Sequence, residues 1–541
     1  NGVDDDVVRV IAPDVGGAFG AKIGTYAEEM LLGVLAKAIG RPVRWRETRS
    51  ESMMAMGHGR GQLQYATIGG TRDGRVTHFQ LHLLQDCGAF ADVGTVLPMA
   101  FGRPMAAGVY DIANIEVRAT SVVTNTTPTV PYRGAGRPEA TAAVERAMDI
   151  FAAEVGLDPA DVRRINLIPK FMDKHTTSIG QTYDVGAYEE SLDKALEAAG
   201  YAELRAEQAA RRESNADKQL GIGVSVYVEI TGGVDPMGEA AKIEVNDDGS
   251  ATVYTGTSPH GQGHDTSWSM IASDQTGIPM DRITLVWGDT DLVPAGGGTM
   301  GSRSLQQGGV AVNQASIELV EKAQKLAAQL LEADEADVVL DKDTGAFHVA
   351  GTPAVSKTWA DLAVAAKGQD DDLTIDTRFD AGQATFPFGA HIAVVEVDTG
   401  TGQVRHLRQV ACDDAGRVVT PMLLDGQIHG GIAQGSAQAL LEEVRYDEDG
   451  NPVTSNLADY GMISAAELPT FEVVHMETPT FVNPLGVKGI GESGTIGSTP
   501  AVQSAVVDAV SHLGIRHIDM PATAEKMWRA IQDATAEEAP A

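Results

Sequence analysis

Cysteine is nearly absent from this chain of 541 residues, which has only Cys87 and Cys412, far apart. With no CxxC pair and no four-cysteine set, the chain cannot by itself hold an iron–sulfur cluster. A disulfide framework is excluded as an organising principle, and the cytoplasm is the expected compartment. No uninterrupted run of about 18 apolar residues occurs, so no membrane-spanning helix is expected. No signal or transit segment is recognisable. Positive charge is also scarce: 41 Lys and Arg stand against 75 Asp and Glu, a formal net charge of -34. Nucleic-acid phosphates would be repelled by such a surface. The HExxH, GxSxG and P-loop patterns are missing, which removes the zinc protease, serine hydrolase and P-loop nucleotide readings. His260 and His264 are four apart, but Gly261-Gln262-Gly263 between them argues against a helical ligand pair.

Glycine, in contrast, is plentiful at 60 residues, clustered as Gly16-Gly17, Gly296-Gly297-Gly298, Gly308-Gly309 and Gly430-Gly431. Such clusters mark close backbone approach or positive φ. Around them, strands are expected at Val7–Ile11, Gln62–Ile68, Val76–Leu84, Gly223–Ile230, Ala241–Val245, Ala251–Thr257, Ile283–Trp287, Ile392–Val397 and Val404–Ala411. Helices are expected at Tyr26–Ile39, Glu139–Val155, after Asp158-Pro159, through 187–217, at Thr266–Thr276, up to Glu332, and at 499–513 and 522–533. The mixture reads as α+β. A boundary near 215–220 divides it into residues 1–215 and 216–533, with a low-complexity tail at 534–541.

Five glycine loops carry polar side chains: Gly16–Lys22, Tyr132–Arg137, Gly261–His264, Asp425–Gly431 and Gly489–Gly494. Each is read as joining a strand to a helix, where exposed N–H groups suit anionic ligands. Spread along the chain, they suggest one large ligand gripped from several sides. Gly489, Gly491 and Gly494 fit GxGxxG, but Pro484 and Gly486 break the strand that a dinucleotide site needs. Glu492 stands between glycines in an otherwise apolar stretch. From the residues alone it is either an exposed loop glutamate or a desolvated carboxylate with a raised pKa, suited to act as a base.

At these motifs the chain resembles the large subunit of the molybdenum hydroxylases, the superfamily of xanthine dehydrogenase, aldehyde oxidase and carbon monoxide dehydrogenase. Val487–Gly497 resembles the family's catalytic-glutamate loop, and Gln427 stands 65 residues before Glu492 in a GQ…GG..QG segment as in the family. The resemblance implies two large, elongated α/β domains with a molybdenum–molybdopterin cofactor at their interface, in the cytosine dinucleotide form. It implies Glu492 as catalytic base. Gly17, Ala18 and Phe19 match the GGxFGxK loop beside the metal, and Arg133 matches the arginine of a second active-site loop. Gln262 and Gly263 match the pterin-holding GQG, and Ser302 and Gln427 match further cofactor contacts. The metal is held by the pterin dithiolene, so no protein ligands are expected. The implied reaction is hydroxylation with water as oxygen source, electrons leaving to [2Fe–2S] and FAD centres on partner subunits, in a dimer of heteromers.

Departures from the family narrow the expectation. The copper-binding cysteine of the carbon monoxide enzymes is replaced by Gly134. Purine oxidisers have a glutamate where Ile23 stands and a phenylalanine where Ala135 stands; their anchoring arginine falls near Phe101, with Arg103 close by. An aldehyde or aromatic N-heterocycle is therefore expected as substrate, with a carbon monoxide enzyme or a non-catalytic cofactor carrier as alternatives. Family members also carry a further segment before the match to Val7, expected here as a separate chain or fragment.

Overall fold

A computed structural model describes residues 4, 7–232, 238–293, 295–367 and 372–537. The last four residues of the expected tail lie outside these. The fold is α+β, organised around a four-stranded sheet. Its strand order is Phe471–Met476, Val404–Asp414, Phe388–Asp398, Lys218–Val228. The first pair is parallel and the other two are antiparallel.

Both faces of this sheet are covered, and the alternation along one strand shows how. Ala390, Ile392 and Val394 enter one core with Tyr188 and Leu192 of the Tyr188–Ala199 helix. Ala393, Val395 and Val397 enter a second core with Ala501, Val502 and Ala505 of the Ser493–Val510 helix. Successive side chains point to opposite faces, so a strand buried on both sides reads as a continuous apolar run. The Lys218–Val228 strand does the same with fewer atoms: Leu220, Ile222 and Val224 face the first core, and Gly221 and Gly223 face the helix. A Cβ at either glycine would sit 1.9 Å from the carbonyl oxygen of Ala505 or Ala501, so only glycine lets the helix lie this close.

A second four-stranded sheet, ordered Thr374–Phe379, Glu239–Val245, Ala251–Thr255, Ile283–Val286, packs with the His264–Thr276 and Val310–Leu331 helices. The third main sheet, Gln62–Gly70, Val76–Asp86 and Asn114–Val122, packs on the Arg137–Val155 helix.

Three expectations differ from the structure. Val7–Ile11 forms no strand ladder; Ile11 makes a single bridge with Asp289, and Arg9 pairs with the same carboxylate. Asp425–Gly431 is no strand-to-helix loop but lies inside a helix, Pro421–Leu440. Its four glycines disfavour helix in isolation, yet they let it cross Ser493–Val510 closely. A Cβ on Gly431 would lie 2.8 Å from Gly494 Cα, and one on Gly435 1.9 Å from Ser498 Oγ. For the same reason the last core helix begins at Ser493, earlier than its apolar periodicity from 499 suggests.

Candidate active site

Glu492 is the residue immediately before the Ser493–Val510 helix. Its Oε1 accepts the backbone N–H of Gly134 at 2.7 Å. Its Oε2 accepts the Ser302 hydroxyl at 2.8 Å and an Arg137 Nη2–H at 2.9 Å. Arg133 closes the neighbouring wall: Nε–H donates to the Gly491 carbonyl at 2.7 Å, Nη1–H to Gln434 Oε1 at 3.1 Å, and Nη2–H to the Gln427 carbonyl at 3.1 Å. The Phe19 ring lies 5.4 Å from this guanidinium. Residues from five separate stretches of chain thus converge on one place.

Backbone sterics make the convergence possible. A Cβ on Gly489 would fall 1.6 Å from the Ser302 carbonyl oxygen, and one on Gly20 2.2 Å from that of Pro131. Phe19, Ala135 and Ser302 hold positive φ of 51°, 30° and 52° without being glycine. Such conformations cost energy and persist where surrounding packing enforces them.

The electrostatics correct one expectation. Burial pushes the Glu492 carboxyl upward, but Arg137, the Gly134 N–H, Ser302 and Arg133 outweigh it, and the carboxyl lies below its usual range. Glu492 is held ionised rather than raised. The raised carboxyl is its neighbour Glu229, fully buried and pushed to about 7 by desolvation, against the pull of Arg137.

Of the residues expected at the site, Phe19, Arg133, Ser302, Gln427 and Glu492 are joined by these contacts. Gly17 and Ala18 precede Phe19 in its loop, and their hydrogen bonds are local: the Gly17 carbonyl accepts Lys22 Nζ at 2.9 Å and the Ala18 carbonyl accepts the Ala21 N–H. Gln262 and Gly263 do not touch Glu492. They form the entry to the His264–Thr276 helix, where a Cβ on Gly263 would meet Leu423 at 2.8 Å, on the helix that carries Gln427. Sequence reasoning passed over Arg137, Gln434 and Glu229. The first two lay inside motifs already singled out, and Glu229 is the one charge in the apolar run Gly223–Ile230. Phe101 lies under Arg137, 5.1 Å from ring centre to guanidinium, whereas Arg103 is exposed.

The donor set suits a pterin cofactor that brings its own metal ligands. Among the described residues no group of three or more His, Cys, Asp or Glu is placed to hold a metal ion. What lines the loops is backbone, amide and hydroxyl. At Gly16, Gly261 and Gly426 a Cβ would meet nothing within 4 Å, leaving open space along the loops. The N-terminus of the His264–Thr276 helix directs N–H groups and positive dipole outward beside Gly263.

A molybdopterin cofactor-binding domain is matched over residues 1–167, and a second domain of that description over 194–469. The chain is 35% identical to the carbon monoxide dehydrogenase large chain of Hydrogenophaga pseudoflava, covering 98% of this chain and 68% of that one. It is 34% identical to the nicotine 6-hydroxylase large subunit of Paenarthrobacter nicotinovorans, covering 98% and 67%. Among solved structures, a Cu,Mo-CO dehydrogenase superposes with a TM-score of 0.92 at 34% identity, covering 99% of this chain and 70% of that one. Quinoline 2-oxidoreductase from Pseudomonas putida 86 gives 0.91 at 33%, covering 98% and 69%. Two cofactor-binding domains, a fold shared across nearly the whole chain and relatives that are molybdenum enzymes lead to one conclusion: the chain belongs to the molybdenum hydroxylases, as a large, molybdopterin-binding subunit.

Proposed function

We propose that this subunit oxidises an aldehyde or an aromatic N-heterocycle with water as the oxygen donor, and that Glu492 is its catalytic base. The observation that carries the reading is the three-donor grip on Glu492, which keeps a buried carboxylate ionised and aimed. The molybdenum–molybdopterin group, when bound, supplies the two-electron redox centre. Phe19, Gln262, Gly263, Ser302 and Gln427, with the backbone of Gly17 and Ala18, would hold it, in the cytosine dinucleotide form.

Glu492 accepts the proton that leaves the oxygen nucleophile, a general-base role. Gly134 N–H fixes one of its oxygens and Arg137 and Ser302 the other, so the carboxylate cannot rotate away. Arg133 ties the Gly491 carbonyl to the Gln427 helix, which keeps the base and the cofactor contacts in register. The rings of Phe19 and Phe101 lie against Arg133 and Arg137, 5.4 Å and 5.1 Å from their guanidinium groups. Electrons leave to [2Fe–2S] and FAD centres on partner subunits, in a cytoplasmic dimer of heteromers.

Gly134 counts against copper-dependent carbon monoxide chemistry, despite the similarity to a carbon monoxide dehydrogenase. Its φ is 97°, and a Cβ there would meet Pro138 at 2.5 Å, so a cysteine side chain does not fit this backbone. The test is metal analysis of the purified complex with a turnover screen over aldehydes, N-heterocycles and carbon monoxide. About one molybdenum per chain and oxidation of an aldehyde or heterocycle is the expected result. Copper with carbon monoxide turnover, or molybdenum with no turnover that Glu492→Gln abolishes, would overturn it.

A further inference from the structure

Behind Glu492 lies a second carboxyl group that the hydroxylation reaction does not itself require. Glu229 ends the Lys218–Val228 strand, is completely buried, and shares two partners with Glu492. Arg137 Nη2–H reaches Glu229 Oε1 at 3.2 Å and Glu492 Oε2 at 2.9 Å. The Ser302 hydroxyl lies 3.2 Å from Glu229 Oε1 and 2.8 Å from Glu492 Oε2. Ser493 Oγ–H donates to Glu229 Oε2 at 2.6 Å.

A serine hydroxyl has one hydrogen. It cannot donate to two carboxylates at once, so when it donates to one, the other must donate to it. The distances decide the direction. Both shared donors sit closer to Glu492, which also has the Gly134 N–H to itself. The hydrogen of Ser302 therefore points to Glu492, and Glu229 fills the remaining lone pair of Ser302 with a proton of its own.

We propose that Glu229 is a positioning residue that carries a proton in the working enzyme, donating through Ser302 so that Glu492 remains the ionised, correctly aimed member of the pair. No atoms change hands: one proton stays on Glu229 while Glu492 cycles. The groups facing Glu229 are Arg137 from the Arg137–Val155 helix, Glu492 and Ser493 at the start of the last core helix, Ser302 from its loop and Tyr227 on its own strand. Arg133 lies further out and interacts with Glu229 through charge, and Glu139 acts through charge on Arg137. Two carboxyls that share Arg137 and the Ser302 hydroxyl repel each other when both are ionised, which favours a single shared negative charge. Burial places the Glu229 transition at about 7. Above it both carboxyls are ionised, Ser302 is contested, and the aim of Glu492 is lost.

The inference rests on Glu492 being the base, and its test separates the two. Infrared difference spectra of the assembled holoenzyme, taken below and above the transition, read the protonation state without turnover. A protonated-carboxyl stretch that disappears on raising the pH is expected in wild type, present in Glu492→Gln and absent in Glu229→Gln. In kcat/KM against pH, wild type should show an alkaline limb that Glu229→Gln removes. The limb goes because the amide N–H in that variant donates to Ser302 at every pH, at normal molybdenum content. Should Glu229→Gln fail to fold, Ser302→Ala, which removes only the shared hydrogen, should displace the same limb. A stretch that persists in Glu229→Gln, or an alkaline limb that superposes on wild type in the variant that folds, overturns the proposal. Loss of activity in Glu492→Gln with no protonated-carboxyl stretch in wild type overturns the Glu229 proposal and leaves the base assignment standing on its own.

Discussion

Two apolar helices of this chain have opposite fates. Ser493–Val510 is buried along almost its whole length, while Ala27–Ile39, with Met30, Leu31, Val34 and Leu35, has no buried residue. The larger side chains are on the exposed one. What separates them is size: Gly494, Gly497, Ala501 and Ala505 let backbones approach within contact of a strand and of the Pro421–Leu440 helix, whereas leucines and methionines hold neighbours away. Hydrophobicity says that a helix has a face to cover; small residues say what it can be pressed against. The site follows the same division, for Glu492 stands at the head of the pressed helix.

The contrast can be broken most strongly at that head. Glu492→Gln should lower kcat about 10³-fold, within the usual range for removing a general base, with molybdenum content and thermal midpoint close to wild type. Retained turnover would move the chemistry away from this helix. Gly223→Ala places a Cβ against the Ala501 carbonyl and should destabilise by about 4 kcal/mol. Denaturant unfolding with a loss under 1 kcal/mol, on the same scale, would show that helix and strand can part cheaply.

A pH titration sharpens the comparison within the packed body. His264 is pushed down to about 4 by burial, against its hydrogen bond to the Thr257 carbonyl. Its folded pKa lies below the unfolded one, so the unfolded chain takes up the proton first. Stability present above about pH 6.5 should fall by about 3 kcal/mol as the pH drops towards 4. His264→Gln should flatten that slope; an unchanged slope would place the acid sensitivity elsewhere. The smallest effect is expected on the open helix. Leu31→Ser should shift the unfolding free energy of the chain by less than about 0.5 kcal/mol. If the same change costs far more in the assembled enzyme, that face is covered by a partner, and the two helices differ in who covers them rather than in whether they are covered.

Much of the architecture was legible beforehand because it rests on local pattern. The Arg137–Val155 helix, the Asp158 cap before Pro159, whose Oδ1 accepts the Ala160 N–H at 2.7 Å, and the doubly buried strand at 388–398 all follow from periodicity and capping. The Pro421–Leu440 helix was not legible, since its glycines read as a loop until a second glycine-lined helix lies against them. Among the site residues, Glu492, Arg133, Ser302 and Gln427 stood in motifs. Arg137 stood in one as well, without a role, while Glu229 carried no motif, only a charge within an apolar run.

The amino-acid sequence by itself determined most of the elements, those without a glycine-lined partner, and the residue types available for chemistry, because these depend on neighbours along the chain. Tertiary structure alone decided which of two carboxyls is held ionised. The sequence pattern around Glu492 suggests a desolvated, raised carboxyl, yet the raised one is Glu229, 263 positions earlier. The reason is physical: the charge state of a buried carboxyl is set by the donors that reach it, and Gly134, Arg137 and Ser302 arrive from stretches of chain that only folding brings together.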